Sequence, residues 1–215
     1  TLNQMSSMLK EINPQLEISG SGLQQRIVGS GRDFLKRMLS EALDLSVSKL
    51  VDESIPALLQ AFGKVHLLDS TQISLPENLS SIWAGSGGCA SKAGLKLQLM
   101  LDYKSGKYEE IFITEGISAD QSYMKEAVNL IGTGELLLYD LGYFVQDSMI
   151  DLYERGAYFL SRFNHRTSLY TKKADGMREK FQIEKELKKA YRSGISFCEF
   201  DVWFVKDGRE LMVRL

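Results

Sequence analysis

Residues 64–75, KVHLLDSTQISL, decide how this chain is read: a short apolar run, Val65 to Leu68, leads into an acid and two hydroxyls, Asp69, Ser70 and Thr71. An unbroken apolar run of this length predicts a strand buried on both faces. The sequence before it is patterned differently. In RDFLKRMLSEAL, residues 32–43, the apolar side chains Phe34, Leu35, Met38, Leu39, Ala42 and Leu43 recur at helical spacing and share one face. SGSG at 19–22 reads as a break, and Pro56 as the first-turn proline of a short helix. Residues 1–63 are therefore expected to form a helical N-terminal subdomain, and the period changes at Lys64.

Beyond that point, LKLQLMLDY (95–103) and KYEEIFIT (107–114) alternate on either side of Lys104-Ser-Gly106, which predicts a β-hairpin. Ser118-Ala-Asp-Gln121 matches a capping box and opens a helix through SADQSYMKEAVNLI, closed by Gly132 and Gly134. ELLLYD (135–140) reads as a second buried strand, VQDSMIDLYERG as a second helix, and AYFLSRF (157–163) as a third buried strand. The order β-β-β-α-β-α-β predicts an α/β fold, or α+β with a mixed sheet, in the RNase H-like arrangement where the first strand lies beside the fourth. That adjacency would bring Asp69 and Asp140 to the same carboxyl edge, where open α/β sheets bind ligands.

Composition narrows the class. The 215 residues, 44% hydrophobic and 25% charged, suffice for one or two globular domains. No apolar run approaches the roughly 20 residues of a bilayer span, and TLNQMSSMLKEINPQ lacks a signal-peptide pattern, so a cytoplasmic location is expected. Cys89 and Cys198 lie far apart, as do His66 and His165, which argues against a disulfide framework or a zinc site. The formal net charge of −2 hides an asymmetry: residues 64–160 carry 7 basic and 13 acidic side chains, residues 161–215 carry 13 and 8. An acid-rich middle before a basic end fits metal-binding carboxylates beside a phosphate-binding surface, and equally fits solvated faces.

Two carboxylates held a few ångströms apart repel unless a proton or a cation neutralises the pair. Hard oxygen ligands suit Mg²⁺, which binds through one or two carboxylates, retained waters and substrate phosphate. The other reading makes Asp69 a turn cap with Ser70 and Thr71, and makes Asp140 the start of a loop before Gly142.

The blocks LLDSTQISLP, WAGSGG, AGLKLQLMLDYKSG, LLLYDLGYF and AYFLSRF, in this order over about residues 60–170, resemble the DDE transposases of bacterial insertion sequences, in the cut-and-paste branch with a Y-R-E-K signature. The resemblance implies Mg²⁺-dependent cleavage of transposon ends and strand transfer, with Mn²⁺ able to substitute, on double-stranded DNA as both transposon end and target. It also implies homodimeric synapsis on DNA, a bacterial nucleoid-associated setting and no membrane partner. Carried over by position, Asp69 and Asp140 match the first two catalytic, metal-binding acids. The third is the Glu of Y-x2-R-x3-E-x6-K. Placing Glu184 there requires Tyr, Arg and Lys where Met177, Lys180 and Tyr191 stand, so Glu184 is not that acid. The resulting expectation is a catalytic core over 64–165, incomplete, with residues 166–215 opening a β-rich insertion and the third acid beyond Leu215. The chain alone is then expected to be inactive. The rival reading is a non-catalytic DNA-binding remnant of a transposase.

Further DNA-contacting candidates are Trp83 and Ser86, in a glycine-rich loop that lacks the lysine of a P-loop, and Arg162, Arg166, Lys172 and Lys173 after the third strand. Tyr143 and Phe144 read as buttresses of the Asp140 strand. His66, by strand alternation, faces away from Asp69 and reads as a core histidine.

Overall fold

A computed structural model of the chain describes residues 2–26, 31, 33, 37, 38, 41, 56–87 and 91–215. The helical face of Phe34, Leu35, Leu39, Ala42 and Leu43 lies outside the described residues, as does Cys89. The chain forms two compact units, residues 1–53 with 106–108, and residues 54–105 with 109–215.

In the first unit, helix α1 spans Leu2–Ile12 and α2 spans Gly20–Arg26. The expected break at SGSG is instead a helix start. The Ser19 hydroxyl accepts the Gly22 N–H at 3.1 Å, so a serine that reads as linker acts as an N-cap.

The second unit opens with α3 (Ala57–Gln60), which follows Pro56. Then come β1 (Val65–Leu75), β2 (Ala93–Asp102), β3 (Lys107–Glu115), α4 (Asp120–Leu130), β4 (Leu136–Tyr139), α5 (Gln146–Glu154) and β5 (Tyr158–Ser161). These strands form one mixed sheet in the order β3-β2-β1-β4-β5. β1 is antiparallel to β2 and parallel to β4, and β4 is parallel to β5. The first strand thus lies beside the fourth, in the RNase H-like arrangement. A second sheet, β7-β6-β8-β9, is built from β6 (Leu169–Lys172), β7 (Arg178–Phe181), β8 (Asp201–Lys206) and β9 (Arg209–Arg214), with helix α6 (Ile183–Arg192) between β7 and β8. Asp207 and Gly208, at φ 48° and 82°, make the two-residue turn that closes β8 onto β9.

One face of the mixed sheet carries the core. Leu68, Met100, Leu137 and Tyr139 pack with Tyr123, Met124 and Ala127 of α4 and with Met149, Ile150 and Leu152 of α5; the same cluster continues through Leu169, Val202, Phe204 and Leu211 of the second sheet. Burying each of the larger side chains contributes about 1.5–3 kcal/mol, and this joins the two sheets into one body. The opposite face is less covered. Leu67, Leu99, Leu101 and Leu138 are only half-buried, and Leu160 is 60% exposed.

Three local expectations change. β1 runs eleven residues to Leu75, so at Asp69 only its pairing with β4 stops while its pairing with β2 continues. The strand in AYFLSRF lies at the sheet edge, with Tyr158 and Leu160 exposed, and is not buried on both faces. The capping box does not form: α4 begins at Asp120, its N-cap is Ala119, and no side chain caps it. The Asp120 side chain turns to the sheet instead.

Candidate active site

The parallel registers set one row of three side chains. β1, β4 and β5 pair as Leu68 with Tyr139 and Tyr139 with Ser161, and the next residues in register are Asp69, Asp140 and Arg162. By strand alternation Asp69 and Asp140 project from the half-covered face, the one that carries Leu67 and Leu138. Both are exposed. Asp69 Oδ1 accepts the Ser70 N–H at 2.8 Å. Asp140 stands before a short 3₁₀ turn, Leu141–Tyr143, and its carbonyl accepts the Tyr143 N–H at 3.0 Å, but its side chain caps nothing. Instead Asp140 Oδ1 meets Arg162 Nη1 at 3.4 Å.

Behind this row lies a polar cluster that the sequence reading overlooked. Asp120 Oδ1, at the start of α4, accepts the Ser70 hydroxyl at 3.1 Å, Lys96 Nζ at 3.0 Å and Gln98 Nε2 at 3.0 Å. Lys96 Nζ also donates to the Ser118 carbonyl at 2.7 Å. Gln98 is fully buried, and its carbonyl oxygen accepts the hydroxyl of buried Tyr143. Burial alone would raise the Asp120 pKa; the bonds from Gln98, Lys96 and Ser70 and the lysine charge outweigh it and hold the carboxyl below its ordinary range. Burial pushes the Tyr143 phenol well above its usual value, so it stays a neutral donor. Gly142 packs against the same carboxylate: a Cβ there would sit 3.1 Å from Asp120 Oδ2. One carboxylate therefore ties the residue after Asp69 to the turn after Asp140. The available signal was the alternation of residues 95–102, which puts Lys96 and Gln98 on the same strand face as Met100.

His66, fully buried on the face of β1 opposite Asp69, lies between two acids, with Nε2 hydrogen-bonded to Glu135 at 2.8 Å and Nδ1 2.7 Å from Glu109. Tyr143 and Phe144 are buried in the core below Asp140, and Phe144 packs edge-on against Phe163 and Phe204.

The remaining candidates are spread out. Trp83 is half-buried, and Ser86 Oγ accepts Gln72 Nε2 at 3.4 Å. Their loop is pinned to the start of β2, with Gly85 N–H donating to the Lys92 carbonyl at 2.8 Å; a Cβ on Gly85 would come within 2.6 Å of the Ser91 carbonyl, so only glycine fits. Lys172 is engaged elsewhere, 2.6 Å from Glu210 and 3.6 Å above the Trp203 ring centre, and Lys173 lies 3.3 Å from Glu179. Arg166 is exposed beside α6 and Glu184 is on that helix.

Two hard, exposed carboxylates in neighbouring register suit a divalent cation that keeps most of its waters and takes further ligands from substrate phosphate. Among the described residues no group of three or more His, Cys, Asp or Glu is placed to hold a metal ion, so the row offers two acids and not three. No helix among the described residues is long and apolar enough to cross a membrane.

Comparison with known proteins converges on one family. Residues 60–204 match the model of the transposase DDE domain. The transposase for insertion sequence element IS231B of Bacillus thuringiensis subsp. berliner is 34% identical over 155 residues, 72% of this chain and 32% of that protein. The IS231E transposase of subsp. finitimus is 30% identical over 174 residues, covering 80% and 36%. The IS1151 transposase of Clostridium perfringens is 36% identical over 111 residues, covering 52% and 24%. The chain spans about a third of the length of the IS231 relatives it matches. With its mixed sheet and its row of Asp69 and Asp140, the chain belongs to the DDE transposases of insertion sequences.

Proposed function

We propose that Asp69 and Asp140 are the first two catalytic acids of a protein that cuts and joins DNA strands at the ends of an insertion sequence, and that they hold the divalent metal this requires, Mg²⁺ or Mn²⁺ in its place. The observation that carries this is the shared register of Asp69, Asp140 and Arg162 at one sheet edge. When bound, such a metal lowers the pKa of an attacking water or 3′-hydroxyl and neutralises charge on the phosphate under attack. The chain's own residues set the stage. Asp69 and Asp140 fix where the cation sits, and the Asp120 cluster keeps their two strands from shifting against each other. Arg162 offers a guanidinium to the scissile or neighbouring phosphate once Asp140 turns to metal.

The third acid comes from sequence outside these 215 residues, and the half-covered face lined by Leu67, Leu138 and Leu160 leaves room for the helix that bears it. Glu184 does not fill the role. It belongs to α6, which connects β7 to β8 of the second sheet, and joins no acidic group with the pair among the described residues. In this reading residues 1–63 grip transposon-end DNA, 64–165 are catalytic, 166–215 open an insertion that contacts DNA, and two copies meet on paired ends.

The test uses the full-length transposase that contains this segment. Asp69→Asn and Asp140→Asn should each abolish Mg²⁺-dependent cleavage of its terminal repeats and leave duplex binding within about twofold, since neither removes a cation that meets phosphate. Cleavage surviving in either variant excludes the assignment. Purified residues 1–215 should not nick DNA; if they do, the third acid lies within them.

A further inference from the structure

The cations of residues 161–215 sort into two groups. Lys172 and Arg178 pair with Glu210, Lys173 with Glu179, Lys206 with Asp207, Arg209 with Asp151 and Glu154, Arg214 with Asp201, and Arg162 with Asp140. Arg166, Lys180, Lys185, Lys188 and Arg192 have no ion pair among the described residues, and Lys189 has only a 3.9 Å approach to Glu186. These six, all exposed, line one open groove of about 780 Å³ between the 165–169 segment, the end of β7 and one face of α6. Among the described residues Glu184 is the only acid in the groove wall.

From this sorting we propose that the groove is a docking surface for the phosphate backbone of duplex DNA, separate from the carboxylate row. On α6, Lys185, Lys188, Lys189 and Arg192 follow helical spacing and form one stripe about 10 Å long, at 1.5 Å per residue. Phosphates of one DNA strand advance about 3.4 Å each along the duplex axis, so a stripe lying along that axis spans roughly three of them. A single phosphate or a small anion leaves most of that length empty. Ser168 and Gln182 in the same wall supply neutral donors of the kind that accompany Lys and Arg at phosphates. The groove also leads to the site. Arg166, in its wall, lies four residues after Arg162, which pairs with Asp140, and so within about 14 Å of it along the chain. Unpaired cations that repel one another across a groove cost stability, and an anionic partner removes that cost.

The proposal rests on reading the partner as DNA and needs neither metal nor catalysis, so its test is run in EDTA. A labelled duplex of arbitrary sequence, about 20 base pairs, is titrated with residues 1–215 by fluorescence anisotropy over a series of NaCl concentrations. For Lys185→Gln/Lys188→Gln/Arg192→Gln, which keeps helix-forming side chains, affinity should fall about tenfold or more at low salt, and the slope of log affinity against log salt should fall by about 2 to 3. Lys125→Gln, on α4, should bind as the wild type does. An unchanged slope in the triple variant overturns the groove while leaving Asp69 and Asp140 untouched, as does failure of residues 1–215 to bind the duplex at all. Tighter binding of single-stranded RNA of equal length also overturns it. If the triple variant is unfolded by circular dichroism, lysine acetylation of the wild-type chain decides: Lys185, Lys188 and Lys189 should be protected by duplex and Lys125 should not, and equal labelling refutes the proposal.

Discussion

The Ser70 hydroxyl donates to the Asp120 carboxylate at 3.1 Å, joining the residue beside Asp69 to the first turn of α4. Lys96 and Gln98 share the same oxygen, and Gln98 passes the connection to Tyr143. The two strands that carry the acids are thereby tied by side chains as well as by their backbone ladder. Asp120→Ala removes three hydrogen bonds and takes the counter-ion from Lys96, whose side chain is only 13% exposed and keeps only the Ser118 carbonyl. It should cost about 3 kcal/mol, and Asp120→Asn about 1–2, since the amide oxygen still accepts. Urea denaturation of residues 1–215 measures both, and an unshifted midpoint in the alanine variant contradicts the network.

Gly142 tests the same contact from the other side. A methyl there falls 3.1 Å from Asp120 Oδ2, and Asp120, fixed by three donors, has little room to give. Gly142→Ala should lose about 1–2 kcal/mol. In an Asp120→Ala background the obstacle is gone and the loss should shrink, so additive effects in the double variant count against the packing described.

Acid should unfold the protein through its tethered carboxylates. Asp120, Asp102 and Glu135 are all held below the ordinary range. Burial opposes this in each, but is outweighed by donors: Gln98 first for Asp120, the Ser105 hydroxyl for Asp102, and the Gly132 N–H for Glu135. Because their folded values are depressed, the unfolded chain binds more protons in this range. Their contribution is full above about pH 5, where the unfolded carboxyls are also ionised, and fades as pH drops through the folded values. Urea midpoints measured from pH 6 down to 2.5 should fall steeply at the acid end, and Asp120→Asn should show a shallower fall than the wild type.

Arg162 separates stability from function. Its ion pair with Asp140 joins side chains 76% and 58% exposed, so Arg162→Gln should move the urea midpoint by no more than about 0.5 kcal/mol. In the full-length transposase the same change should slow end cleavage roughly 10- to 100-fold, the scale of losing one positioned donor to developing phosphate charge. A large stability loss with unchanged cleavage reverses this assignment.

Much of this was legible in the chain itself. The apolar runs before Asp69 and Asp140, the alternating hairpin around Lys104-Ser-Gly106 and the glycines closing the helices are local signals, read over a few residues. Together with strand order they sufficed to bring the two acids to one edge. The basic end of the chain was equally visible as a charge imbalance, but the sequence did not distinguish Lys172, taken by Glu210 and Trp203, from Lys188, which faces an open groove. Pairing depends on which acid a neighbouring strand delivers.

The sequence by itself determined the order of elements and the two candidate acids, because hydrophobic period and turn chemistry act over short range. Only the tertiary structure decided which face of β2 is the inside. A binary reading buries Leu97, Leu99 and Leu101, yet the face under α4 carries Gln98, Met100 and Asp102, and the leucines stand half-covered. The reason is physical: Gln98 is tolerable in the core because Asp120 and Tyr143, 22 and 45 residues away, satisfy both ends of its amide, and only the folded chain brings them there.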